Sequence, residues 1–170
     1  MTLPDLTPDC RQCDALCCVL LAFDHGSAFG FDKPACAPCR NLAHDNACHI
    51  HANLQDQGFA GCVAFNCHGA GQRLTSQGFR GRSWRQNAAL LSAMDPAFRV
   101  LRQVHEALAM LQHAAQLPLT AAQHITRQTL LARLSPDWTE ADLQGPEPQS
   151  ALHDARSYFA SLRAVTSSHR

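Results

Sequence analysis

The residues with the most evident chemistry in this sequence are its nine cysteines, all of which lie between Cys10 and Cys67. The run DCRQCDALCC places four thiols within nine residues, and CAPC at residues 36–39 forms a second CxxC pair. A CxxC spacing lets two sulfurs reach one ion, and four thiolates hold either a zinc ion or a cubane iron–sulfur cluster. The candidate ligands, sufficient for one or two sites, are Cys10, Cys13, Cys17, Cys18, Cys36, Cys39, Cys48, Cys62 and Cys67.

Three other uses of cysteine fit the sequence less well than metal binding. The first ten residues contain neither a basic segment nor a long apolar one, so we expect no secretory signal and a cytoplasmic protein. Thiols stay reduced in that compartment, and an odd number of cysteines cannot form a closed set of disulfides. No predicted strand precedes a CxxC pair as in thioredoxin-like redox proteins, and no base beside a cysteine identifies a nucleophile. The sequence thus names no catalytic residue and leaves enzymatic activity open.

The geometry of the first cysteine run depends on whether it forms a helix. In a continuous helix, Cys10, Cys13 and Cys17 fall within an arc of about 60° and face one site. Cys18 then points away from them, toward a second metal, a bridge or the core. If the run begins instead as a tight knuckle, Cys10 and Cys13 still converge on one ion.

Several other polar side chains lie close to the cysteines in the sequence. Imidazole is a good ligand for zinc and iron, so the three histidines next to cysteines are either additional ligands or solvent-exposed neighbours of the site. These histidines are His49, His51 and His68. The nearby aspartates are expected to be solvated caps and turn residues, namely Asp14, Asp24 and Asp32.

The overall composition is that of a folded protein with no general attraction to polyanions. Apolar residues make up 46% of the chain, charged residues 16%, and the formal net charge is zero. This balance provides material for a core and no global pull toward nucleic acid or anionic membranes. The longest apolar block, residues 19–23, is too short to span a bilayer, so we predict no membrane partner.

The sequence changes character near Trp84. All nine cysteines and five of the ten histidines precede it, among Gly, Pro and Asn residues that indicate loops and turns. We expect a cysteine-rich metal-binding module over residues 1–85 and an α-helical region over residues 86–170, or both within one compact domain. The predicted fold class is mainly α, with a loop-rich, metal-nucleated N-terminal module packed on a small C-terminal helical bundle.

Two helices are predicted immediately after Trp84, over residues 86–94 and 97–116, with a break at Asp95-Pro96. The longer helix repeats apolar residues every three or four positions, as a single buried face requires. That face comprises Phe98, Leu101, Val104, Leu108 and Leu111.

Further helices are predicted toward the C-terminus. Thr120 is suited to cap a helix that continues to Leu134, and Ser135-Pro136 is expected to open another helical turn. The first of these helices is expected to bury Ile125, Leu130 and Leu134. Residues 145–148, GPEP, are expected to form a linker before a helix over residues 150–165. That last helix is expected to bury Leu152, Ala155, Phe159 and Leu162.

A basic, glycine-rich segment joins the two regions. Between residues 72 and 104, six arginines stand against one acid, Asp95, although the whole chain is neutral. Three interpretations are open: a solvated face, compensation for the charge of about −2 on a four-thiolate zinc site, or a patch for an anionic partner such as nucleic acid. The arginines of such a patch would be Arg73, Arg80, Arg82 and Arg85.

The cysteine motifs follow one another as CRQCDALCC, CRNL, DNACHIHANL and GFAGCVAFNC. This order resembles the zinc- or iron-chelating family of CxxCxxCC proteins (YkgJ-type), which are also described as iron–sulfur-cluster-containing. Three features depart from the family pattern: one extra residue in the first run, His51 in place of the usual Tyr, and no Arg-Pro before the late cysteine pair. The resemblance implies metal binding, with zinc or iron left open, by Cys10, Cys13, Cys17, Cys18, Cys39, Cys48, Cys62 and Cys67. Cys36 is a candidate from its CxxC spacing alone.

A second and closer likeness covers residues 10–115. The segments GFAGC, CHGAGQ and FRGRSW, followed by FRVLRQVHEAL, resemble the non-repeat N-terminal region of some bacterial proteins described as pentapeptide-repeat-containing. ANLQD at residues 52–56 is a single isolated pentapeptide-like unit, so the repeat helix itself is absent. No repeat-based function, such as DNA mimicry, is therefore carried over.

These observations lead to one main functional hypothesis and two alternatives. The main hypothesis is a metal-binding protein with thiolate sites for zinc or an iron–sulfur cluster, in a structural, carrier or sensing role. The first alternative is an iron–sulfur redox protein or enzyme whose incompletely ligated cluster meets a substrate near the GAGQR segment. The second is an interaction module in which structural zinc holds the fold and the helical half binds a partner.

Overall fold

The computed structural model describes residues 3–163. Over this range the chain forms seven α-helices joined by loops, and its β-structure consists of two isolated antiparallel bridges. The helices are α1 (Leu16–Leu20), α2 (Ala60–Ala64), α3 (Ala70–Arg73), α4 (Leu91–Ala114), α5 (Ala121–Leu134), α6 (Glu140–Gln144) and α7 (Pro146–Ser161). The prediction of a mainly α fold, with a loop-rich first half packed on a helical second half, is confirmed.

The long helix α4 runs through Pro96 without interruption, so the predicted break into two helices is wrong. A 3₁₀ turn, Ala88–Leu90, leads directly into it. A proline inside a helix removes one backbone hydrogen bond and costs about 3 kcal/mol. Because Met94, Ala97 and Phe98 are each 1% exposed, a continuous helix buries apolar side chains on both sides of the proline, and this burial outweighs that cost.

Helix α4 is the central element of the helical half. All five positions predicted for its buried face are at most 1% exposed: Phe98, Leu101, Val104, Leu108 and Leu111. Helices α5, α6 and α7 pack against it, and α5 and α7 pack against each other. The spacing of apolar residues therefore identified the central core correctly.

Helix α5 begins where the sequence indicated. Thr120 Oγ1 accepts a hydrogen bond from the backbone N–H of Gln123, and the Gln123 side chain accepts one from the Thr120 backbone (2.8 Å), which forms a capping box. The predicted helical turn at Ser135-Pro136 is wrong. The Ser135 hydroxyl donates back to the Leu131 carbonyl (2.6 Å), and the next helix, α6, starts after a second capping box at Thr139.

The buried face of α5 differs in part from the prediction. Leu130 and Leu134 are buried as expected, but Ile125 is 68% exposed and its predicted burial is wrong. None of the first six residues of the helix is buried, because its packing begins at Arg127. The Arg127 side chain reaches the end of α4, where Nη1 donates to the Leu111 carbonyl (3.2 Å).

Helix α7 begins inside the GPEP segment, so the predicted linker at residues 145–148 is wrong. Pro146 and Pro148 stand in the first helical turn, where backbone N–H groups have no partner within the helix and proline is tolerated. Three of the four positions predicted to be buried are so, Leu152, Ala155 and Leu162, while Phe159 is partly buried. The predicted end of this helix, Val165, lies outside the described residues.

The cysteine-rich half contributes to one apolar core and forms a second. Seven of its side chains join the core of the helical half: Leu16, Val19, Leu20, Ala70, Leu74, Phe79 and Trp84. Four phenylalanine rings pack on one another as a separate aromatic cluster, made of Phe23, Phe29, Phe31 and Phe59. The main core therefore continues across the predicted boundary at residue 85.

Candidate metal centre

The first four thiols are presented by a bent segment. Cys10 opens a 3₁₀ turn, in which the backbone N–H of Cys13 donates to the Cys10 carbonyl (3.3 Å). Ala15 adopts a left-handed conformation (φ 55°) and separates this turn from α1, which carries Cys17 and Cys18. The continuous-helix alternative is therefore wrong, and the knuckle alternative describes the run.

Asp14 fixes this bend from inside the fold. The residue is 6% exposed, so the expectation that it is solvated is wrong. Its backbone N–H donates to Thr75 Oγ1 (3.1 Å), and its carbonyl accepts from Trp84 Nε1 (2.8 Å). Oδ1 accepts from Asn46 Nδ2 (3.2 Å), whereas Oδ2 is buried and has no hydrogen-bond partner among residues 3–163. These contacts hold the bend of the cysteine run against the body of the protein.

Lys33 is buried at the end of α1, with 4% of its surface exposed. Its Nζ donates to the carbonyls of Val19 (2.9 Å), Leu21 (2.6 Å) and Pro34 (3.1 Å). Three carbonyl acceptors offset the desolvation of a buried ammonium group. Lys33 thus places a positive charge at the C-terminal end of α1, where the helix dipole favours it.

The loop that follows Lys33 folds back along α1. The backbone N–H of Cys39 donates to the Cys18 carbonyl (2.9 Å), and that of Cys36 donates to the end of α1 (3.3 Å). Leu42 pairs with Cys48 in an antiparallel bridge. Cys39 and Cys48 are therefore brought to the side of α1 that carries Cys18, while Cys36 is exposed.

Cys62 lies in α2, which rests on the aromatic cluster. Gly61 approaches the Phe29 ring so closely that a Cβ at this position would lie 2.2 Å from it. The Gly61 backbone N–H donates to the Ala28 carbonyl (2.9 Å), and that of Cys62 donates to Phe59 (3.0 Å). The second glycine of GFAGC is therefore required for α2, and with it Cys62, to sit on the cluster.

Cys67 lies three residues before the start of α3, and its carbonyl accepts from the backbone N–H of Ala70 (3.0 Å). One residue further, Gly71 faces Cys13 so closely that a Cβ would lie 2.6 Å from the Cys13 sulfur. Any larger residue at this position would displace the thiol. The glycine of CHGAGQ therefore lets Cys13 pack on α3, the helix that Cys67 precedes.

The thiols differ in acidity because their surroundings differ. A hydrogen bond from the Cys17 thiol lowers the pKa of Cys18 to about 7, opposed by burial and assisted by the positive charge of Lys33. The same hydrogen bond, together with burial, raises the pKa of Cys17. Burial raises the pKa of Cys13 to about 12 and that of Cys62 to about 11. Thiols with raised pKa values must release protons to bind a metal ion, which makes their affinity for metal depend on pH.

All nine thiols are free, which is the chemical state that metal binding needs. The Cys17 and Cys18 sulfurs lie 3.9 Å apart. Within residues 3–163, no three His, Cys, Asp or Glu side chains converge closely enough to hold an ion. The donor set fits zinc or an iron–sulfur cluster in its chemistry, but the side chains would have to close around the metal. The assignment of the nine cysteines as ligands stays a prediction.

The three histidines next to cysteines differ in exposure. His49 and His51 are exposed, and His68 is partly buried. The His68 backbone carbonyl accepts a hydrogen bond from Nδ1 of His105 (2.6 Å), so its main chain is engaged there. The role of the three imidazole rings stays a prediction. Two of the nearby aspartates are exposed as expected, Asp24 and Asp32.

A buried polar network links the loop before α3 to the helical half. His105 in α4 is 0% exposed; since its Nδ1 donates to the His68 carbonyl, its Nε2 accepts from Arg73 Nη1 (3.2 Å). Burial lowers the pKa of His105 to about 4, opposed by the hydrogen bond to His68 and assisted by the charge of Arg73. Arg73 Nη2 also donates to the carbonyls of Ser135 (2.9 Å) and Pro136 (2.5 Å).

Three of the four arginines predicted for an anionic partner contact other residues of the chain, one of them buried (Arg73) and two at the surface (Arg82 and Arg85). Arg73 is 7% exposed and belongs to the network with His105. Arg82 forms an ion pair with Glu140 (2.6 Å), and Arg85 donates to Asn46 Oδ1 (2.7 Å). Arg80 is exposed and makes no ion pair or side-chain hydrogen bond within the part of the chain that the structure describes.

Comparison with known proteins identifies a bacterial relative. The chain is 35% identical, over 130 residues, to the uncharacterized protein YybG of Bacillus subtilis (strain 168). The aligned part covers 76% of this chain and 47% of that protein, so the chain spans about half the length of the curated relative it matches. No family model and no solved structure matches the chain. Between residues 3 and 163, none of the helices combines the length and hydropathy needed to cross a bilayer.

Two residues that shape the centre were missed by the sequence analysis, Asp14 and Lys33. The partners of Asp14, Thr75 and Trp84, lie 61 and 70 residues away in sequence, so no local pattern marks the carboxylate as buried. Lys33 could have been singled out from the sequence, because it is a cation between two groups of cysteines whose thiolates would carry negative charge.

Proposed function

We propose that this chain binds a thiophilic metal through the cysteines of its first half, as zinc or as an iron–sulfur cluster. Bound metal would complete the fold of residues 10–67, in a structural, carrier or sensing role. The observation that carries the proposal is that all nine thiols are free and come from separate segments, one of which joins Cys39 to Cys18 on α1 by a main-chain hydrogen bond. Disulfides could also have held the fold of residues 10–67 together, but none of the nine thiols is paired.

Two contacts between distant segments support this proposal. Cys39 is hydrogen-bonded to Cys18 through the main chain, and Cys13 packs against the glycine of α3. Segments far apart in sequence thus bring Cys39 to α1 and Cys13 to α3. A zinc ion or a cubane cluster needs four such ligands, and nine are present.

Free thiols also bear on where the protein works. A chain with nine unpaired cysteines keeps them reduced in a compartment poised by glutathione and thioredoxin, so we propose the cytoplasm. We do not extend the proposal to an anionic partner. Of the four arginines considered for that role, three are occupied by contacts within the fold.

The proposal is tested on the full chain, expressed and purified without oxygen or chelator. Metal content is measured by elemental analysis, acid-labile sulfide by assay, and the visible spectrum is recorded. A double variant, Cys17→Ser with Cys18→Ser, serves as the comparison, because both thiols lie on α1 at the centre of the arrangement.

We expect stoichiometric zinc in a colourless protein, or iron with sulfide in a brown one, and a loss of metal in the double variant. Iron and sulfide would direct further work to the redox alternative. A parent protein that retains neither metal, and takes up neither after reduction, would contradict the proposal.

A further inference from the structure

We propose that α1 divides the thiols between two separate metal sites, an inner and an outer one. The inner site consists of Cys10, Cys13, Cys17 and Cys67. The outer site consists of Cys18, Cys39, Cys48 and Cys62. This inference rests on the proposed metal binding and deepens it, because it assigns four thiolates to each of two zinc ions or cubane clusters.

The inner thiols share a position against the hydrophobic core. Of the nine cysteines, three pack on the core that unites the two halves of the fold: Cys13, Cys17 and Cys67. Cys13 also touches α3 at Gly71, and Cys67 is the residue whose carbonyl begins the turn into α3. Cys10 is bound to Cys13 through the 3₁₀ turn, so it belongs to the same side of α1.

The outer thiols share the loops on the other side of α1. The main chain joins Cys39 to Cys18 (2.9 Å), and Leu42 donates to the Cys39 carbonyl (2.9 Å) while pairing with Cys48. Cys62 approaches from α2, which rests on the aromatic cluster. None of these four cysteines is among the described residues that pack on the main core.

The adjacent pair on α1 is the point of division. Successive helical side chains point about 100° apart, so Cys17 and Cys18 can serve sites on different sides of α1. Cys17 packs on the core and Cys18 lies beside Lys33, although their sulfurs are 3.9 Å apart. The Lys33 ammonium is then a built-in counter-charge for the outer site, whose four thiolates carry about −2 with zinc.

The test uses the full chain, reduced, stripped with a chelator and reloaded with zinc alone. Native mass spectrometry counts the ions, and alkylation with peptide mapping identifies the thiols that zinc protects. We expect about two ions in the parent, and one each in Cys13→Ser and Cys39→Ser. Zinc should still protect the outer thiols in Cys13→Ser and the inner thiols in Cys39→Ser. Cys36→Ser is the control and should keep both ions.

Other results would overturn the division. If Cys13→Ser and Cys39→Ser each lose both ions, the thiols form one shared cluster, and metal binding stands without the division. A single ion in the parent leads to the same conclusion. No zinc in the parent would overturn the division into two zinc sites, and failure to form a cluster with iron and sulfide as well would overturn the proposed function itself.

A measurement on the parent alone keeps the test decisive if the variants do not fold. Zinc is withdrawn stepwise by a competing chelator, and alkylation is mapped at each step. Two sites should lose protection as two groups of four cysteines, in separate steps. Simultaneous loss at all eight would overturn the division.

Discussion

Helix α4 buries eleven of its 24 side chains, whereas the stretch of residues 21–66 buries only Lys33 and Phe59. Ordering one residue costs about 1–2 kcal/mol of backbone entropy, which the helical half offsets by burying apolar surface. The cysteine-rich stretch buries little apolar surface and holds four of the nine thiols. Thiolate–metal bonds can contribute on the order of 10 kcal/mol to folding, so the two regions are expected to depend on different sources of stability.

Removal of metal should separate the two regions most clearly. Chelation under reducing conditions should strip hydrogen-exchange protection from residues 10–67, since that region would lose on the order of 10 kcal/mol, while α4, α5 and α7 keep theirs. Hydrogen-exchange mass spectrometry of the chelated and zinc-reloaded chain measures this. Unchanged protection across residues 10–67 would remove the basis for the comparison.

A cavity in α4 should affect the region that depends on apolar packing. Leu108 is 0% exposed, so Leu108→Ala should lower the free energy of unfolding by about 2–5 kcal/mol. Met110→Ala is the matched control, because Met110 is 47% exposed on the same helix. Urea unfolding of the metal-loaded proteins gives both values. Equal losses in the two variants would show that α4 does not supply the core.

Acid should weaken the helical half through His105. The pKa of His105 falls from 6.5 to about 4 on folding. In the unfolded chain this imidazole therefore binds a proton below about pH 6.5, whereas in the folded chain it does so only below about pH 4. Stability should therefore fall as the pH drops through this window, by on the order of 3 kcal/mol. His105→Gln should flatten the dependence and His153→Gln, an exposed control, should not. Equal slopes in His105→Gln and the parent would contradict the assignment.

The contact between the cysteine-rich and helical regions can be tested at Trp84. Trp84→Phe removes the hydrogen bond to the Asp14 carbonyl and should cost about 1–3 kcal/mol. Trp138→Phe removes a comparable bond, to Leu134, but within the helical half. We expect the first variant alone to reduce hydrogen-exchange protection at the cysteine run. Equal protection of that run in both variants would show that Trp84 does not couple the two regions.

Elements fixed by local periodicity were predictable from the sequence. The buried face of α4 follows directly from apolar spacing, and the start of α5 follows from the hydroxyl and amide of a capping box. In each, the determining residues lie within a few turns of one another. The buried face of α5 was harder to predict, because the first half of the helix extends beyond its neighbours and leaves Ile125 in solvent.

The errors in the helical half came from prolines. The sequence predicts a break at Pro96, whereas burial on both sides of this residue keeps α4 continuous. It predicts a linker that contains Pro146 and Pro148, whereas both prolines fit the first turn of α7. From local sequence alone, a proline can either break a helix or occupy its first turn, and the packing of the surrounding helices decides which occurs.

The cysteines themselves were visible in the sequence, but their arrangement was not. The main-chain contact between Cys39 and Cys18 crosses 21 residues, and the partners of Asp14 are more distant still. Loops have no repeating apolar pattern, so their sequence does not show which segments lie beside one another. The spacing of the motifs therefore indicated a chemistry, while the grouping of the thiols required the fold.

Lys33 has a practical consequence, because it is the only lysine in the sequence. Its amine is enclosed by three carbonyls at the end of α1, so an amine-reactive reagent can modify it only when that end opens. The rate of labelling at this one side chain thus reports the opening frequency of the cysteine-rich half without touching a thiol. The chain carries its own probe of how firmly that half is closed.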